Sequence, residues 1–446
     1  MNQPVRLLGF HSYISVTMWT ICCAFLVLAL TIKPAAAQNY AVIHNFSGGS
    51  DGSGPNAGVT IDRAGRLYGT TPAGGNTGAN CNYHGAGNGC GTVYRLTAQG
   101  SDWVTLPLYV FRGGQDGSSP WARVIAGPDG TLFGTTMFGG GGACVNNQFG
   151  TGCGTIFRLQ PPANACGSVN CPWHETILHT FDGNGAGTHG ANPMSEVVFD
   201  AAGNFYGTAS VGGASGNGLV YKMAKTNGNW AYSVIYSFAG PPNDGSGPMS
   251  GLVFDQAGNL YGTTSAGPHG SGAVFELSPS GSGWTERVLY SMNLNGSDGS
   301  EPQGGLIFDP LGNLYGATTQ GGANMAGTAF ELSPNGNSWT YSVLTNFPNN
   351  GCSSCIQGSE ASLFRDNAGN LYGTSPNGGS SGFCGAVFKL TPAQSGYSYN
   401  SLYDFQCDAN GAFPYGNLVP DGSGNLVSTA GGGGSSSHGV VFTVSP

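Results

Sequence analysis

The sequence is poor in charged residues. They make up only 8% of the 446 positions, with 13 Lys and Arg against 22 Asp and Glu. This balance excludes the basic surface that binding to nucleic acid or to an anionic membrane requires. Eighty glycines would suggest disorder if they stood in low-complexity sequence. They instead recur at fixed places between short aromatic and β-branched runs, which is how turns alternate with strands.

Helical periodicity and the common catalytic motifs are also missing. No stretch of ten or more residues repeats its apolar side chains every 3.6 positions, so an all-β chain is expected. No Gly-x-Ser-x-Gly elbow, phosphate-binding loop or dinucleotide fingerprint occurs in the context that each requires. The sequence therefore indicates no named enzyme class.

Only the N-terminus carries a long apolar run. It extends over the fourteen residues Trp19–Ile32, shorter than the roughly 20 that span a bilayer, and leads into Ala35–Ala37, a small-residue cleavage site. We expect residues 1–37 to be a signal peptide cleaved before Gln38, with an uncleaved N-terminal anchor as the alternative. Removing the two basic residues of this segment leaves 11 basic against 22 acidic residues, a formal charge of −11. A secreted, periplasmic or cell-surface protein is expected.

Ten cysteines follow the signal segment, and an even number in an exported chain favours disulfides. Cys81 precedes Cys90 by nine positions, and Cys144 precedes Cys153 by nine, each pair just before a Gly-Thr strand start. This shared spacing predicts two stapled loops, and Cys166 with Cys171 is the next local pair. Three pairings stay open for the other four, Cys352, Cys355, Cys384 and Cys407. The Cys-Ser-Ser-Cys spacing among them allows zinc, but no second such motif or paired histidine follows, so no metal is expected.

One phrase close to Gly-Asn-Leu-Tyr-Gly-Thr occurs seven times. The intervals between its copies are 65, 73, 55, 54, 57 and 55 residues. A period near 55 is too long for an ankyrin or tetratricopeptide unit and is typical of a propeller blade with long loops. The copies begin at Gly65, Gly130, Gly203, Gly258, Gly312, Gly369 and Gly424.

Each repeat contains four short strands. In the fourth repeat they are Gly251–Asp255, Leu260–Thr264, Ala273–Leu277 and Trp284–Met292. The last of these starts and ends on a large side chain, eight positions apart, in six repeats. An even spacing places both side chains on one face of the strand, which favours packing against the next blade over an aromatic ligand platform. The pairs are Trp103 and Phe111, Trp173 and Phe181, Trp230 and Phe238, Trp284 and Met292, Trp339 and Phe347, and Tyr397 and Phe405.

The seventh repeat lacks a fourth strand of its own, since the chain ends soon after Gly439–Val444. The segment Asn39–Phe46 matches the fourth strand Tyr232–Phe238 of another repeat. A propeller has to remove its exposed sheet edges, and this segment can supply the missing outer strand. Residues 38–446 are therefore predicted to form a single seven-bladed β-propeller with four-stranded blades, closed by its N-terminal strand.

The repeat resembles that of the GloVer tandem-repeat proteins, also called choice-of-anchor tandem-repeat proteins. Residues 251–277 match its pattern G-L-x-x-D-x-x-G-N-L-Y-G-T-T, followed by G-G and G-x-V-F-x-L, nearly throughout. The resemblance covers the chain after the signal and implies an exported protein displayed on a bacterial surface through a C-terminal anchor. Because the sequence ends at Ser445-Pro446 with no apolar helix, release or periplasmic residence is expected instead. The resemblance implies no catalytic residues.

Two sets of acidic residues recur in the repeats. The first lies at the turn after the first strand, where Asp accepts backbone N–H groups, and we interpret it as structural rather than as a cation-binding ring. It comprises Asp62, Asp129, Asp200, Asp255, Asp309, Asp366 and Asp421. The second lies in the loops that enter each first strand, mostly as Asp-Gly-Ser-x-Pro, and comprises Asp51, Asp116, Asp244, Asp298 and Asp408.

The second set is expected on one face of the propeller, together with the stapled loops 72–91 and 137–154. Stapling favours a face whose shape matters for a ligand. The alternative is a structural Asx turn before a proline that starts the strand. We expect no cofactor; oxygen-rich loops leave calcium open, although no segment has the D-x-[DN]-x-[DN]-G pattern.

The histidines divide into two groups. His44 and His179 stand where other repeats have tyrosine, which indicates packing. His84, His189, His269 and His438 fall in loops on the proposed ligand face. Catalysis would require these histidines to converge, because a general base or a metal site needs its groups within contact distance.

The function predicted from the sequence is a non-catalytic binding or scaffold protein. Its candidate binding residues are Asp51, Asp116, Asp244, Asp298, Asp408, His84, His189 and His269. Amides, hydroxyls and aromatic rings suit a hydroxyl-rich polysaccharide, although an extracellular protein is also an expected partner class. The alternative function is a propeller lyase or hydrolase with a loop-face histidine or metal site. A monomer is expected.

Overall fold

Seven antiparallel four-stranded sheets make up the fold, one for each sequence repeat. The structure is a computed structural model that describes residues 40–78, 81, 89–142, 144–146, 150–162, 173–293, 295–351, 357–379 and 383–446. The proposed signal peptide, His84, and the four cysteines Cys166, Cys171, Cys352 and Cys355 lie outside the described residues. No helix in the described ranges is long and apolar enough to cross a membrane.

The strands are numbered β1 to β34 along the chain, and the blades are numbered from the first complete repeat. Blade 1 consists of β2 (Thr60–Ile61), β3 (Leu67–Thr71), β4 (Thr92–Gln99) and β5 (Asp102–Val110). Blade 2 consists of β6 (Ile125–Ala126), β7 (Leu132–Thr136), β10 (Thr155–Gln160) and β11 (His174–Thr180). Blade 3 consists of β13 (Val198–Phe199), β14 (Phe205–Ala209), β16 (Leu219–Thr226) and β17 (Asn229–Ser237).

Blade 4 consists of β18 (Val253–Phe254), β19 (Leu260–Thr264), β20 (Ala273–Ser280) and β21 (Gly283–Ser291). Blade 5 consists of β23 (Ile307–Phe308), β24 (Leu314–Ala317), β26 (Thr328–Asn335) and β27 (Ser338–Asn346). Blade 6 consists of β28 (Phe364–Arg365), β29 (Leu371–Ser375), β30 (Ala386–Pro392) and β31 (Tyr397–Asp404). Blade 7 consists of β32 (Val419–Pro420), β33 (Leu426–Ala430), β34 (Val440–Val444) and β1 (Tyr40–Asn45).

Three short ladders lie in the loops. They pair β8 (Val145–Asn146) with β9 (Gly150–Thr151), β12 (Thr188–Ala191) with β15 (Val211–Gly213), and β22 (Gly299–Ser300) with β25 (Gln320–Gly321). A single-turn 3-10 helix, Gly114–Asp116, completes the regular structure of the described residues.

The second strand of each blade explains the repeated Tyr-Gly-Thr phrase. In blade 4 all five residues of β19 are buried, since the strand has sheet neighbours on both sides and blades against both faces. Its glycine lies against the aromatic ring of the third strand, where a Cβ at Gly262 would lie 2.7 Å from Phe275 Cζ. Only glycine leaves room for that ring, so packing between the second and third strands explains the repeated Tyr-Gly-Thr sequence.

The outermost strands pack between blades, as their eight-residue spacing predicts. Their final large side chains are at most 1% exposed and lie against the third-strand ring of the next blade; the Phe238 and Phe275 centroids are 5.1 Å apart. The tryptophans at the start of these strands contact the preceding blade, as Trp284 of blade 4 does with Tyr206 of blade 3, where the ring centroids are 5.9 Å apart. Packing is therefore the confirmed role of these rings.

The N-terminal strand closes the ring. β1 pairs antiparallel with β34 from Tyr40 opposite Val444 to Asn45 opposite Val440. Tyr40 stacks on Tyr403 of blade 6 with centroids 3.7 Å apart and planes 6° apart. The predicted seven-bladed architecture and its closure are confirmed, because β1 pairs with the side of β34 that blade 7 would otherwise leave open.

Three disulfides occur among the described cysteines. Cys81 is bonded to Cys90 and Cys144 to Cys153, which confirms both predicted loop staples. The third bond joins Cys384 to Cys407, one of the pairings that the sequence left open. Such bonds are typical of proteins outside the reducing cytoplasm.

Candidate functional site at the mouth of the central channel

The loops before the first strand and those between the second and third strands lie on one face, here called the loop face. Bridges join the two kinds of loop directly, at Ser53 with Ala73, Ser118 with Phe138, Ser246 with Ala266 and Ala412 with Gly432. The β12–β15 and β22–β25 ladders do the same in blades 3 and 5. The stapled loops 72–91 and 137–154 therefore begin and end on the loop face, as expected.

The loop-face aspartates bind the outermost strand that precedes them. Asp244 accepts hydrogen bonds from the Tyr236 hydroxyl at 2.8 Å and from the Ala239 N–H at 2.7 Å. Asp298 accepts from the Tyr290 hydroxyl at 2.7 Å. Both carboxylates are buried, and their oxygens are engaged by the protein itself.

The remaining members of this set follow or modify the same pattern. Asp116 accepts from the Tyr109 hydroxyl, and Asp51 lies 3.4 Å from Nε2 of His44, which replaces the tyrosine. Hydrogen bonds to His44 and Ser47 outweigh the effect of burial and hold the pKa of Asp51 at about 2. Asp408 is exposed and accepts the N–H of Asn410 at 2.8 Å. A ligand-binding role for these five residues stays a prediction.

The first-turn aspartates lie at the opposite ends of the strands and form the predicted turns. Asp255 accepts the backbone N–H of Asn259 at 2.8 Å and the Tyr261 hydroxyl at 3.1 Å. The same arrangement recurs around Asp62, Asp200, Asp309 and Asp366. Asp421 accepts the N–H of Asn425, and Asp129 accepts the N–H of Thr131.

The three loop histidines that the structure describes do not converge. His269 contacts Ser291, and His438 Nδ1 lies 2.9 Å from the Ser53 hydroxyl of blade 1. His189 Nδ1 lies 2.7 Å from Asp182 Oδ2. His189 shares a pocket with His179, which stacks on Tyr232 at 3.7 Å, and burial lowers the pKa of His179 to about 4.

Side chains from all seven blades converge elsewhere, at the start of the innermost strands. Two positions per blade, two residues apart, line one cavity there, except that Gly58 of blade 1 is not part of the lining, so the place of the cavity is the axis around which the blades are arranged. The residue between them is always Ala, Ser or Gly.

We call the first of these positions the channel mouth, because it follows directly from the loop face. Its members are two amides, two aromatic rings, two thioethers and one carboxyl group, and all are half-buried. They are Asn56, Trp121, Met194, Met249, Gln303, Glu360 and Tyr415.

The second position forms a lower ring beneath the mouth, which comprises Gly58, Arg123, Glu196, Gly251, Gly305, Ser362 and Asn417. Arg123 of blade 2 forms a bidentate ion pair with Glu196 of blade 3, with Nη2 3.1 Å from Oε1. Burial opposes the positive charge, but Glu196 outweighs it and raises the pKa of Arg123. On the other side the Ser362 N–H donates to the Asn417 side chain at 2.8 Å. A Cβ at Gly58 would lie 2.6 Å from the Asn417 carbonyl oxygen, so these strands touch.

Glu360 is the electrostatically unusual member of the channel mouth. Burial, and then the neighbouring carboxylate of Glu301, raise the pKa of Glu360 to about 7. Tyr415 lies near this carboxyl group. Burial, and then the charge of Glu360, raise the pKa of Tyr415 to about 12. Glu360 has no hydrogen-bond partner among the described residues.

The cavity is small and polar. It measures about 110 Å³, well below the roughly 300–1,000 Å³ of pockets that enclose a drug-sized ligand. It can accept one ring or one end group of a larger ligand. Among the described residues, no group of three or more His, Cys, Asp or Glu side chains could hold a metal ion.

The sequence interpretation missed the channel mouth, although two signals mark it. Within each repeat it is the residue after the loop proline or its equivalent, and it varies while its neighbours are repetitive. Trp121 also stands apart, because each other tryptophan after the signal segment leads an outermost strand. Strand alternation alone could not show that seven such positions meet on one axis.

The sequence profile of the Gloeobacter/Verrucomicrobia repeat matches residues 142–354 and 267–446. The chain belongs to this family. The resemblance of the repeats to the GloVer pattern is thereby confirmed.

Solved structures resemble the chain only distantly. A protein of unknown function from Dyadobacter fermentans is 10% identical, with a TM-score of 0.43 over 82% of this chain and 98% of its own. A candidate 6-phosphogluconolactonase from Bacteroides uniformis is 13% identical, with a TM-score of 0.46 over 76% of this chain and 84% of its own. No curated protein matches the chain.

Proposed function

We propose that this protein is an exported, non-catalytic binding protein that holds the end of a hydroxyl-rich polysaccharide at the channel mouth. The observation that carries the proposal is the channel mouth itself. Seven repeats that share their packing residues place seven side chains of six residue types, none of them Ala, Ser or Gly, at one point. A purely structural ring would repeat its small residues there as well.

The chemistry of the mouth suits sugar. Trp121 and Tyr415 offer rings that stack on the apolar face of a sugar, and Asn56 and Gln303 offer amides that pair with hydroxyls. Because the cavity is small, a chain end rather than a longer segment is the expected occupant. The disulfides and the apolar N-terminal segment support export.

A screen against plant, fungal and bacterial polysaccharides on a glycan array tests the proposal. Binding by the wild-type protein, lost in Trp121→Ala, is the expected result, because loss of one stacking ring removes much of a small contact area. Trp284→Phe is the matched control, since Trp284 packs between blades away from the channel. Absence of signal across the array would leave a structural or protein-binding role.

One observation favours the alternative class, an enzyme. The His189–Asp182 pair lies beside a pocket of about 560 Å³ at the outer strands of blades 2 and 3. A carboxylate on Nδ1 orients the imidazole so that Nε2 can act as a base. No histidine is found among the described residues that line the channel. Release of new reducing ends or unsaturated sugars from an array-positive polysaccharide, abolished by His189→Ala, would establish the enzyme instead.

A further inference from the structure

The channel mouth contains a carboxyl group that no described residue pairs with as a hydrogen-bond or ion-pair partner. In the lower ring Arg123 and Glu196 neutralise each other. Above them stands Glu360, with the carboxylate of Glu301 near it. These are the charged groups around the site, so its net charge is negative when Glu360 is ionised.

A half-buried carboxylate without a partner is costly, and it would be stabilised by a positive ligand group. Two aromatic rings of the same ring of residues, Trp121 and Tyr415, share the cavity with it. Aromatic faces attract cations, and the attraction grows as water is removed from the contact. Carboxylate and rings therefore point to the same kind of ligand group.

We propose that the channel mouth selects an ammonium group, so that the polysaccharide it holds carries amino groups. This inference rests on the proposed function only in taking the channel mouth as the ligand site. Glu360 provides the counter-ion, and Trp121 and Tyr415 provide the aromatic wall. Gln303 lies in the neighbouring blade, so a glutamate substituted there would add a second carboxylate to the site.

The probe is choline, whose charge does not change with pH, compared with its uncharged isostere 3,3-dimethylbutan-1-ol. Titration calorimetry at pH 8, where Glu360 is ionised, is expected to show choline binding roughly tenfold more tightly than the isostere. At pH 5.5 this preference should disappear, because Glu360, whose pKa is about 7, is protonated there. Arg123 and Glu196 also face the site, and Glu301 lies near Glu360, so Glu360→Gln shows which carboxylate is responsible.

Glu360→Gln keeps the shape of the side chain and is expected to abolish the preference for choline at both pH values. Gln303→Glu is expected to increase it. Glu286→Gln is the matched control, because Glu286 also has a pKa of about 7 from burial and Asp244 but lies on the outermost strand of blade 4. Equal melting temperatures show that each variant is folded.

Equal affinities of choline and its isostere for the wild-type protein would overturn the inference, as would a preference that Glu360→Gln retains. The two proposals fail separately. A positive array with no choline preference removes the ammonium group and keeps the polysaccharide. Choline binding with a negative array keeps the ammonium group and removes the polysaccharide.

Discussion

Phe46 offers the sharpest test of how the ring closes, because it belongs to the N-terminal strand yet is fully buried. It directly follows β1, and its N–H donates to the Gly439 carbonyl of blade 7 at 3.1 Å. Its ring lies 5.0 Å from that of Tyr94 in blade 1. The residue therefore joins the first and last blades.

Phe46→Ala is expected to lower the free energy of unfolding by about 3–5 kcal/mol, the usual cost of removing a fully buried Phe side chain. Phe238→Ala is the matched control, because Phe238 holds the same place in blade 3 and is also 0% exposed. The two variants should lose equal stability within about 1 kcal/mol. Phe46→Met should cost less than about 1.5 kcal/mol, since Met292 fills this place in blade 4.

Urea unfolding followed by tryptophan fluorescence measures these differences, with the slope of the transition checked for change. If Phe46→Ala lost less than about 1 kcal/mol while Phe238→Ala lost the full amount, the N-terminal strand would be an appendage. The closure argument would then be refuted.

Three further changes test the packing, the buried acids and the third disulfide. Tyr94→Phe should raise the melting temperature, because the buried Tyr94 hydroxyl has no hydrogen-bond partner among the described residues. Tyr206→Phe should lower the melting temperature, because it removes a hydrogen bond to Asp200, and calorimetry should show these opposite signs. Burial, and then the neighbouring Asp116, raise the pKa of Glu175 to about 9, above its value in the unfolded chain. The stabilising contribution of Glu175 is therefore present at low pH and is lost as the pH rises from about 4.5 to 9. Glu175→Gln should raise the urea midpoint at pH 8 more than at pH 5. Replacing Cys384 and Cys407 by alanine should cost about 3 kcal/mol, and an unchanged urea midpoint would contradict this.

Much of the fold could be predicted because the repeat states each packing rule seven times. The five-residue second strand of blade 4 has its predicted bounds, Leu260–Thr264. The third strand is longer than predicted and reaches Ser280, because its exposed end pairs with the outermost strand in a hairpin that apolar patterning does not mark. The first strand is shorter, Val253–Phe254, since it has a sheet partner on one side only.

The candidate site could be predicted less well, because its residues meet only through closure of the ring. Recurrence drew attention to Asp244 and its equivalents, and the structure shows three of these carboxylates, Asp116, Asp244 and Asp298, bound to tyrosines. Glu360 and Trp121 do not recur at the equivalent positions of the other repeats, so the repeat pattern does not identify them as functional. In a repeat protein the position that varies can be the functional one, and a structure is needed to show where the varying positions converge.

The central claim is that the channel mouth is the ligand site. A crystal structure of the protein soaked with the shortest oligosaccharide that the array identifies tests it most directly. The account predicts ligand density between Trp121 and Tyr415, above the Arg123–Glu196 pair. Density confined to the stapled loops or to the His189 pocket, with an empty channel mouth, would contradict it.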